Sequence, residues 1–201
     1  MELLTILDED LHEIGTAPRG QVHAQGLLHQ VVHCWVVSEQ ENGTWVYYQQ
    51  RSFQKRDFPG LYDLAVGGHI DAGEKPADAI LREMREEIGI SAKSDELEFL
   101  GTIREDTHIG DFFDRELGYI YLYRNPGPQF AVGEEVERMI RVPLEELRHK
   151  EPGGPESIQC YTLGGKPFLA GADCWCRHPG EFQTMLLPVL EKRLDRTPFV
   201  G

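Results

Sequence analysis

The stretch GGHIDAGEKPADAILREMREEIGI, residues 67–90, decides the fold prediction because it combines a clear helix pattern with an unusual crowding of acidic residues. Its apolar residues recur at the spacing of one helix face. They are Ala77, Ile80, Leu81, Met84 and Ile88. Pro76 suits the first turn of a helix and Gly89 suits its C-terminal cap, so the pattern predicts a helix between these two residues.

Three glutamates of this helix, Glu83, Glu86 and Glu87, point to the same side. At about 100° of rotation per residue, Glu86 and Glu87 lie roughly 60° to one side and roughly 40° to the other side of Glu83. Each carboxylate raises the cost of ionising its neighbours, so the cluster predicts a bound cation. Mg²⁺ and Mn²⁺ are the candidates, because these hard cations take oxygen ligands.

Residues beside the glutamates support this metal site. Gly67 and Gly68 let the backbone approach a ligand closely, and the carbonyl oxygen of Gly67 is a candidate for a further metal ligand. Arg82 precedes Glu86 by four residues, a spacing at which a guanidinium pairs with a carboxylate and fixes its rotamer. A solvated helix rich in Glu and Arg is the commoner explanation of a short charge run, but it leaves the complete spacing unexplained.

The complete spacing resembles the signature of the Nudix hydrolases, Gx5Ex7REUxEExGU, in which U is a bulky apolar residue. Every position of the signature is matched. The matching residues are Gly68, Glu74, Arg82, Glu83, Met84, Glu86, Glu87, Gly89 and Ile90. The resemblance implies an α/β fold in which an α/β/α sandwich surrounds a mixed β-sheet.

The same resemblance implies hydrolysis of a diphosphate, such as a nucleoside diphosphate, linked to another moiety. The implied metal ligands are Glu83, Glu86 and Glu87. The implied bracing residues of the loop and helix are Gly68, Glu74 and Arg82. The general base varies within the family, so it is either a glutamate of the signature or a carboxylate supplied later in the chain. Asp114 and Glu116 are the later candidates.

A second, looser resemblance covers roughly residues 1–120 and is to isopentenyl-diphosphate isomerase and the hydrolases most similar to it. It is carried by Leu28-His29, Trp35, Gln50-Arg51, Lys55, Phe58-Pro59-Gly60, Gly68-His69 and Asp114-Arg115-Glu116. In the isomerases, residues at or near the positions of His23, His29, His69, Asp114 and Glu116 hold a metal. Basic residues matching Arg51 and Lys55 bind the diphosphate there, so the expected substrate-binding residues are Arg51, Lys55 and His69.

One position departs from the isomerase pattern. The isomerases have a catalytic cysteine where this chain has Gly67, and without a thiol the protonation and deprotonation of an alkene lose one of their two groups. The hydrolase signature, in contrast, is complete. We therefore expect a hydrolase on an isomerase-like frame, with an isomerase-like enzyme and a non-catalytic binding module as alternatives.

Composition restricts the function classes further. The chain has 201 residues and a formal net charge of -14, which argues against a nucleic-acid polymer or an anionic membrane surface as the partner. It contains no continuous apolar run of about 18 residues, and its first residues lack the pattern of a signal peptide. Four cysteines fit a reducing compartment. We expect a cytoplasmic protein that acts on a small molecule.

The rest of the chain reads as one domain with a tail. Residues 1–150 form the predicted catalytic domain, with an N-terminal hairpin. The predicted strands are residues 3–6, 31–37, 44–49, 97–104, 117–123 and 136–142, with a short helix from Pro143 to Leu147. Residues 19–29 are expected to be a connecting segment. Residues 151–201 are expected to pack on the same domain as a loop, up to about residue 171, and a C-terminal helix interrupted by Pro188.

Two further features leave alternatives open. Cys160, Cys174, Cys176 and His178 supply four possible zinc ligands at a non-standard spacing, and buried or idle thiols are the simpler interpretation. The histidines near the N-terminus and the signature are either metal ligands or hydrogen-bonded structural residues. They are His23, His29, His33 and His69. A homodimer formed through the C-terminal helix is the expected assembly.

Overall fold

A computed structural model describes residues 2–41, 43–109 and 112–194. Its strands are β1 (Leu3–Leu7), β2 (Glu13–Pro18), β3 (Leu28–Gln40), β4 (Gly43–Arg51), β5 (Tyr62–Leu64), β6 (Val66–His69), β7 (Leu97–Ile109), β8 (Phe112–Arg124), β9 (Val136–Pro143), β10 (Ile158–Thr162) and β11 (Pro167–Ala170). Its α-helices are α1 (Arg19–Gln25), α2 (Pro76–Ile88), α3 (Leu144–His149) and α4 (Leu187–Leu194).

Strand β3 lies in the middle of the sheet. It pairs in parallel with β8 and antiparallel with β1, β4 and β6. Beyond β4 the sheet continues through β9, β10 and β11, while β7 pairs with β8 on the other side. The sheet is mixed and carries helices, which confirms the predicted α/β class.

The alternation of side chains along β3 explains the two helical layers. Val32, Cys34 and Val36 point to one face of the sheet and belong to the core under α2. Trp35 and Val37 point to the other face, into the core that α3 and the C-terminal helix cover. Because both faces are covered, β3 is a nearly continuous buried strand.

Helix α2 forms as predicted. Pro76 occupies its first turn, and Gly89 ends it at φ 71° while its N–H donates to the carbonyl of Met84. A Cβ at Gly89 would lie 2.4 Å from the carbonyl oxygen of Ala131, so glycine is required there for space as well as for backbone conformation. Ile80, Met84 and Ile88 of the predicted apolar face are fully buried against the sheet, as is Ala79, whereas Leu81 is half-buried and Ala77 is exposed. That burial fixes the direction in which the acidic face points.

The C-terminal helix covers the opposite face. Phe182, Leu186 and Leu190 are buried in the same cluster as Trp35. The helix has a π-helical segment, Phe182–Leu186, just before Pro188. A proline lacks the N–H that an α-helix would use at this point, and the wider turn accommodates that loss.

Two expectations about local structure are wrong. Residues 19–29 are not simply a connection, because Arg19–Gln25 forms α1 and β3 begins at Leu28. The helix is only two turns long and buries few of its residues, so its sequence shows little periodicity. The expected loop after residue 150 contains the hairpin of β10 and β11, whose inward residues Ile158 and Cys160 are fully buried. The glycines and prolines there mark turns around short strands.

Other expectations hold with changed boundaries. The N-terminal hairpin consists of β1 paired with β2. The second predicted hairpin, with its turn at residues 41–43, consists of β3 paired with β4. Asn42 of that turn lies outside the described residues. Strands β7 and β8 are longer than predicted. Gly67 and Gly68, expected in a loop, belong to the short strand β6. None of the helices in the described ranges has the length and apolar character needed to cross a bilayer.

Replacing Leu186 by alanine tests whether the C-terminal helix is part of the folding unit. Leu186 is fully buried, so we expect a loss of about 2–5 kcal/mol in the free energy of unfolding, measured by urea denaturation. Leu169→Ala is the matched control, because Leu169 is 67% exposed and its truncation should cost less than about 0.5 kcal/mol. Equal losses in the two variants would contradict the packing described here.

Candidate active site

A cavity of about 1250 Å³ opens between α2, the middle of β3 and the segment that precedes the C-terminal helix. Its walls carry many ionisable groups. Among them are His33, Asp63, Glu83, Glu86, Glu116 and His178. A cavity of this size accommodates a ligand of several linked groups.

The signature glutamates differ in their surroundings. The side chain of Glu87 is almost completely buried, and its Oε2 accepts hydrogen bonds from the Gly67 N–H at 3.0 Å and from the Gln49 side-chain amide at 3.2 Å. Glu83 is largely buried and Glu86 is more than half exposed. The solvent exposure of the three carboxylates therefore increases from the interior to the mouth of the cavity.

Arg82 connects the helix to the strand before it. Its guanidinium donates two hydrogen bonds to Glu74, at 3.0 and 2.8 Å, and a third to the carbonyl of His69 at 3.1 Å. A contact of 2.6 Å joins Arg82 to Glu83, whereas Glu86 is 3.5 Å away. The expected pairing with Glu86 is thus the weakest of these contacts, and Glu74 is the main partner.

The carboxylates repel one another in this structure. Burial, followed by the charge of Glu83, raises the pKa of Glu87 to about 8. Burial also raises the pKa of Glu83, although Arg82 opposes the shift. A fourth carboxylate, Glu135, adds to the repulsion at both residues. A divalent cation held by these oxygens would remove the repulsion, so the donor set fits Mg²⁺ or Mn²⁺.

Gly68 is required by the position of Glu83. A Cβ at residue 68 would lie 2.2 Å from the Glu83 carboxyl carbon and 2.3 Å from its Oε1. Any larger residue would push the carboxylate away from its place beside Arg82. The glycine thus keeps a metal-ligand candidate in position.

Gly68→Ala is expected to weaken Mn²⁺ binding by about 10-fold to 100-fold, because it displaces Glu83, the candidate ligand, while leaving the helix intact. Titration calorimetry of the purified variants measures this. Gly164→Ala is the matched control, since a Cβ there lies 3.9 Å from its nearest neighbour, the Thr162 hydroxyl. Unchanged affinity in the Gly68 variant would show that Glu83 does not bind the ion.

A group of histidines from α1, β3 and β6 lies beside the cavity. The ring centroids of His23, His29 and His69 are 5.0–5.3 Å apart. The Nε2 atom of His29 is buried without a hydrogen bond, 3.7 Å from an Asp114 oxygen and 3.9 Å from a Glu116 oxygen. These gaps are too long for hydrogen bonds and suit an ion placed between the three groups. The residues of the isomerase-like resemblance are thus brought together.

Glu116 differs electrostatically from its neighbours. Burial and the charge of Asp114 raise the pKa of Glu116 to about 8, whereas burial lowers the pKa of His29 to about 4. At neutral pH, His29 is therefore neutral and able to act as a metal ligand. A metal ion would also favour the ionised form of Glu116.

The two predicted diphosphate-binding residues line the cavity but already have partners. Arg51 donates to Asp63 at 3.1 Å and to the carbonyl of Asp57. Lys55 forms a close ion pair with Glu135. Both cations can reach a ligand in the cavity only if these contacts are shared or exchanged.

A second polar network lies deeper, between β3 and the C-terminal segment. The Nδ1 of His33 is 2.8 Å from Glu181, and the indole N–H of Trp35 donates to the same carboxylate at 2.5 Å. Burial opposes ionisation of Glu181, but the charge of His33 and their hydrogen bond outweigh it and lower the pKa of that carboxyl. His178 lies next to His33, with ring centroids 4.8 Å apart. The C-terminal segment therefore supplies part of the cavity wall.

His178 is held between two carboxylates. Its Nε2 is 2.8 Å from Asp63 and its Nδ1 is 3.1 Å from Glu105. Burial disfavours the charged ring, but these two hydrogen bonds outweigh it and raise the pKa of His178 well above its ordinary value. Burial also opposes ionisation of Asp63, yet His178 and Arg51 together hold the pKa of Asp63 well below its ordinary value.

This network predicts that the free energy of unfolding is largest within a limited range of pH. The contribution of Asp63 is present above its unfolded pKa of about 3.9 and is lost as pH falls through its lower folded pKa. The contribution of His178 is complete below its unfolded pKa of about 6.5 and is lost as pH rises through its higher folded pKa. His178→Asn should therefore cost about 3 kcal/mol at pH 6 in urea unfolding, and less at strongly alkaline pH.

The control for this experiment is His149→Asn, because His149 is 73% exposed on α3. It should leave the unfolding curve nearly unchanged at both pH values. A pH-independent effect of the His178 substitution would contradict the assignment of a charged ring.

The zinc interpretation of the C-terminal cysteines is not realised. In the described part of the chain, no group of possible metal ligands within 4.8 Å of one another includes a cysteine. Both nitrogens of His178 are engaged by carboxylates, and Cys160 is buried in the core. The cysteines are free thiols, which agrees with the simpler interpretation of buried or idle thiols.

Several cavity residues carry no recognisable signal in the sequence. Glu135 precedes a strand, Asp63 lies in a three-residue strand, and Arg177 lies beyond the predicted domain. Each becomes part of the site only through long-range contacts. One signal was available, because a histidine in the middle of the buried strand β3 requires a polar partner.

Comparison with known proteins places this geometry in a family. The family model for the NUDIX domain matches residues 27–163. The chain belongs to the Nudix family. An uncharacterised Nudix hydrolase of Clostridium acetobutylicum is 38% identical over 149 residues, which cover 73% of this chain and 72% of that protein. This Nudix protein is accordingly a hydrolase acting on pyrophosphate bonds.

Two further relatives extend the comparison. An isopentenyl-diphosphate Δ-isomerase of Serratia proteamaculans is 28% identical over 163 residues, covering 81% of this Nudix chain and 88% of the isomerase. The crystal structure of a Deinococcus radiodurans protein aligns with a TM-score of 0.54 at 20% identity, over 73% of this chain and 86% of that one. Both resemblances expected from the sequence, to Nudix hydrolases and to the isomerase branch, are confirmed.

Proposed function

We propose that the protein uses Mg²⁺ or Mn²⁺ to hydrolyse a diphosphate linked to another moiety, with nucleoside diphosphate derivatives as the first substrate class to test. The observation that carries this proposal is the buried Glu87 carboxylate beside Glu83, with Glu86 at the mouth of the same cavity. Such a repulsive set is stabilised by a divalent cation.

The proposed ligands of this cation are Glu83, Glu86, Glu87 and the carbonyl oxygen of Gly67. These residues would hold the ion, and the chemistry it would supply there is neutralisation of phosphate charge and activation of a water. Gly68 and Glu74 act indirectly, since Gly68 leaves room for Glu83 and Glu74 fixes Arg82.

A second cation site is proposed at the histidine group described above. The proposed residues are His23, His29, His69, Asp114 and Glu116, as the isomerase-like resemblance implied. Their nitrogen and carboxylate donors would suit Mn²⁺ or another transition metal better than the all-oxygen site on α2 does. Glu116 lines the same cavity as Glu83 and Glu86 and is the candidate that links the two sites.

Substrate phosphates are proposed to contact Arg51 and Lys55, the basic residues at the cavity wall. Arg177 is a further candidate, because it lines the cavity and has no ion pair within the described residues. Arg19 and Arg82, in contrast, are already bound to carboxylates. A guanidinium without a carboxylate partner can bind phosphate without first breaking an ion pair.

Hydrolysis is favoured over isomerisation by the absence of a reactive thiol. Gly67 replaces the cysteine of the isomerases, and Cys34 cannot substitute for it because burial strongly raises the pKa of its thiol and its side chain faces the α2 core. An isomerase-like activity would convert one allylic diphosphate into its isomer without releasing phosphate. The two activities are therefore distinguishable in one assay.

The test is phosphate release from a panel of diphosphate compounds, with and without Mg²⁺. Glu86→Gln and Glu87→Gln are expected to lower kcat by about 100-fold or more, because each removes a ligand charge while nearly preserving side-chain shape. The matched control is Glu137→Gln, an exposed residue of β9. Equal rates in all variants would reject the proposal, and binding without turnover would indicate a non-catalytic module.

The homodimer remains a prediction. Because Phe182, Leu186 and Leu190 already pack on the sheet, a contact through the C-terminal helix would have to use its outward side. Light scattering of the purified protein measures its mass directly.

A further inference from the structure

Arg177 is a cation of the cavity wall that no carboxylate holds within the described residues. The other lysine and arginine side chains of the wall are all engaged in ion pairs. They are Arg19, Arg51, Lys55 and Arg82. Carboxylates outnumber the cations along this wall, so a guanidinium that none of them binds stands out. It is available to an anionic ligand without the loss of an existing ion pair.

The backbone on both sides of Arg177 is anchored by buried contacts. The indole of Trp175 is buried, and its ring centroid lies 5.3 Å from that of Tyr62. The N–H of Cys176 donates to the carbonyl of Tyr62 at 2.8 Å. On the other side, both ring nitrogens of His178 are held by carboxylates. Arg177 therefore projects from a segment whose position is fixed by the core.

The side chain of Arg177 lies against the backbone of Gly153. A Cβ built on Gly153 would be 2.9 Å from Cγ of Arg177, 3.0 Å from its Nε and 3.4 Å from its Cδ. Residue 153 therefore has no room for a side chain, and its φ of 76° also favours glycine. Because the arginine stem is already packed, its guanidinium would lose less conformational entropy when it binds a ligand.

The charges next to the C-terminal segment are balanced without Arg177. Asp63 contacts Arg51 at 3.1 Å and His178 at 2.8 Å, and Glu105 contacts the other ring nitrogen of His178 at 3.1 Å. Arg177 thus adds a positive charge to a part of the wall whose carboxylates already have partners. On α2, in contrast, the signature glutamates repel one another, and an anion can bind there only through a metal ion.

We propose that Arg177 binds a phosphate monoester on the moiety that is linked to the diphosphate, so that the substrate carries a third phosphate. This inference rests on the function proposed above, in which the diphosphate lies at the α2 cation. The two positions are distinct, because Trp175, next to Arg177, belongs to the core cluster on the opposite face of the sheet from α2. A cavity of about 1250 Å³ has room for a ligand that contacts both.

Two alternatives fit the contacts of Arg177 less well. A substrate carboxylate carries one negative charge, whereas a phosphate monoester carries about 1.5 to 2 at pH 7 and offers the guanidinium more oxygens. A purely structural arginine would hydrogen-bond to the loop on which it lies. Within the described chain, however, the side chain of Arg177 makes no hydrogen bond, and it contacts Gly153 only by packing.

The experiment uses two pairs of compounds whose members differ only in a phosphate monoester. They are NADPH with NADH, and coenzyme A with 3′-dephospho-coenzyme A. Titration calorimetry with Ca²⁺ in place of Mg²⁺ supplies a cation that takes oxygen ligands while limiting turnover. We expect the wild type to bind the phosphorylated member of at least one pair about tenfold or more tightly than its partner, because a charge-assisted contact to phosphate is gained.

Arg177→Gln should reduce this preference to less than about twofold and should leave the affinity for the unphosphorylated member nearly unchanged. A loss that was merely structural would weaken both members equally. Lys166→Gln is the matched control, because Lys166 is an exposed cation in the turn between β10 and β11 and its replacement changes the net charge by the same amount. It should keep the preference of the wild type.

The outcomes separate this inference from the proposed function. Equal affinities within both pairs, no binding of any member, or a preference that Arg177→Gln retains would each overturn the inference, even if the wild type releases phosphate from another compound of the panel. A preference that depends on Arg177 in a protein that releases no phosphate would support the anion site and reject the proposed hydrolysis. The comparison within the wild type needs no variant to fold.

Discussion

The carboxylate of Glu87 is held inside the protein, where burial and the charge of Glu83 raise its pKa to about 8, and the surrounding residues are arranged to keep it there. The Gly67 N–H and the Gln49 amide bind it, and the buried face of α2 prevents the helix from turning its acidic side to solvent. This electrostatic cost opposes folding with the carboxylate ionised, and the proposed divalent cation would offset it. Cation binding at this helix would therefore also stabilise the fold.

Strand β3 connects the two ends of the site. One face packs under α2, and the other carries His29 and His33 before it enters the apolar core at Trp35. The polar residues are satisfied by partners far away in sequence, such as Glu181. The cavity thus combines a helix typical of the family with a wall supplied by the C-terminal segment.

The sequence predicted the parts of this molecule that depend on local pattern. Helix α2, the main strands and the mixed sheet follow from apolar spacing and from the family signature, and both glycines of β6 were singled out. The hairpin of β10 and β11 was missed because short strands between glycine and proline turns resemble a loop. The partners of His33 and His178 could not be predicted, because no local rule links residues more than 70 positions apart.

The position of the C-terminal segment also bears on recombinant truncation. A fragment trimmed to residues 27–163 would retain the whole signature but would lose the aromatic ring of Phe182 that packs 5.8 Å from Trp35. The part of the sheet face that α3 does not cover would then be open to water, with the indole N–H of Trp35 deprived of its acceptor. Such a fragment would aggregate, so the minimal autonomous folding unit is longer than the segment by which the family is recognised.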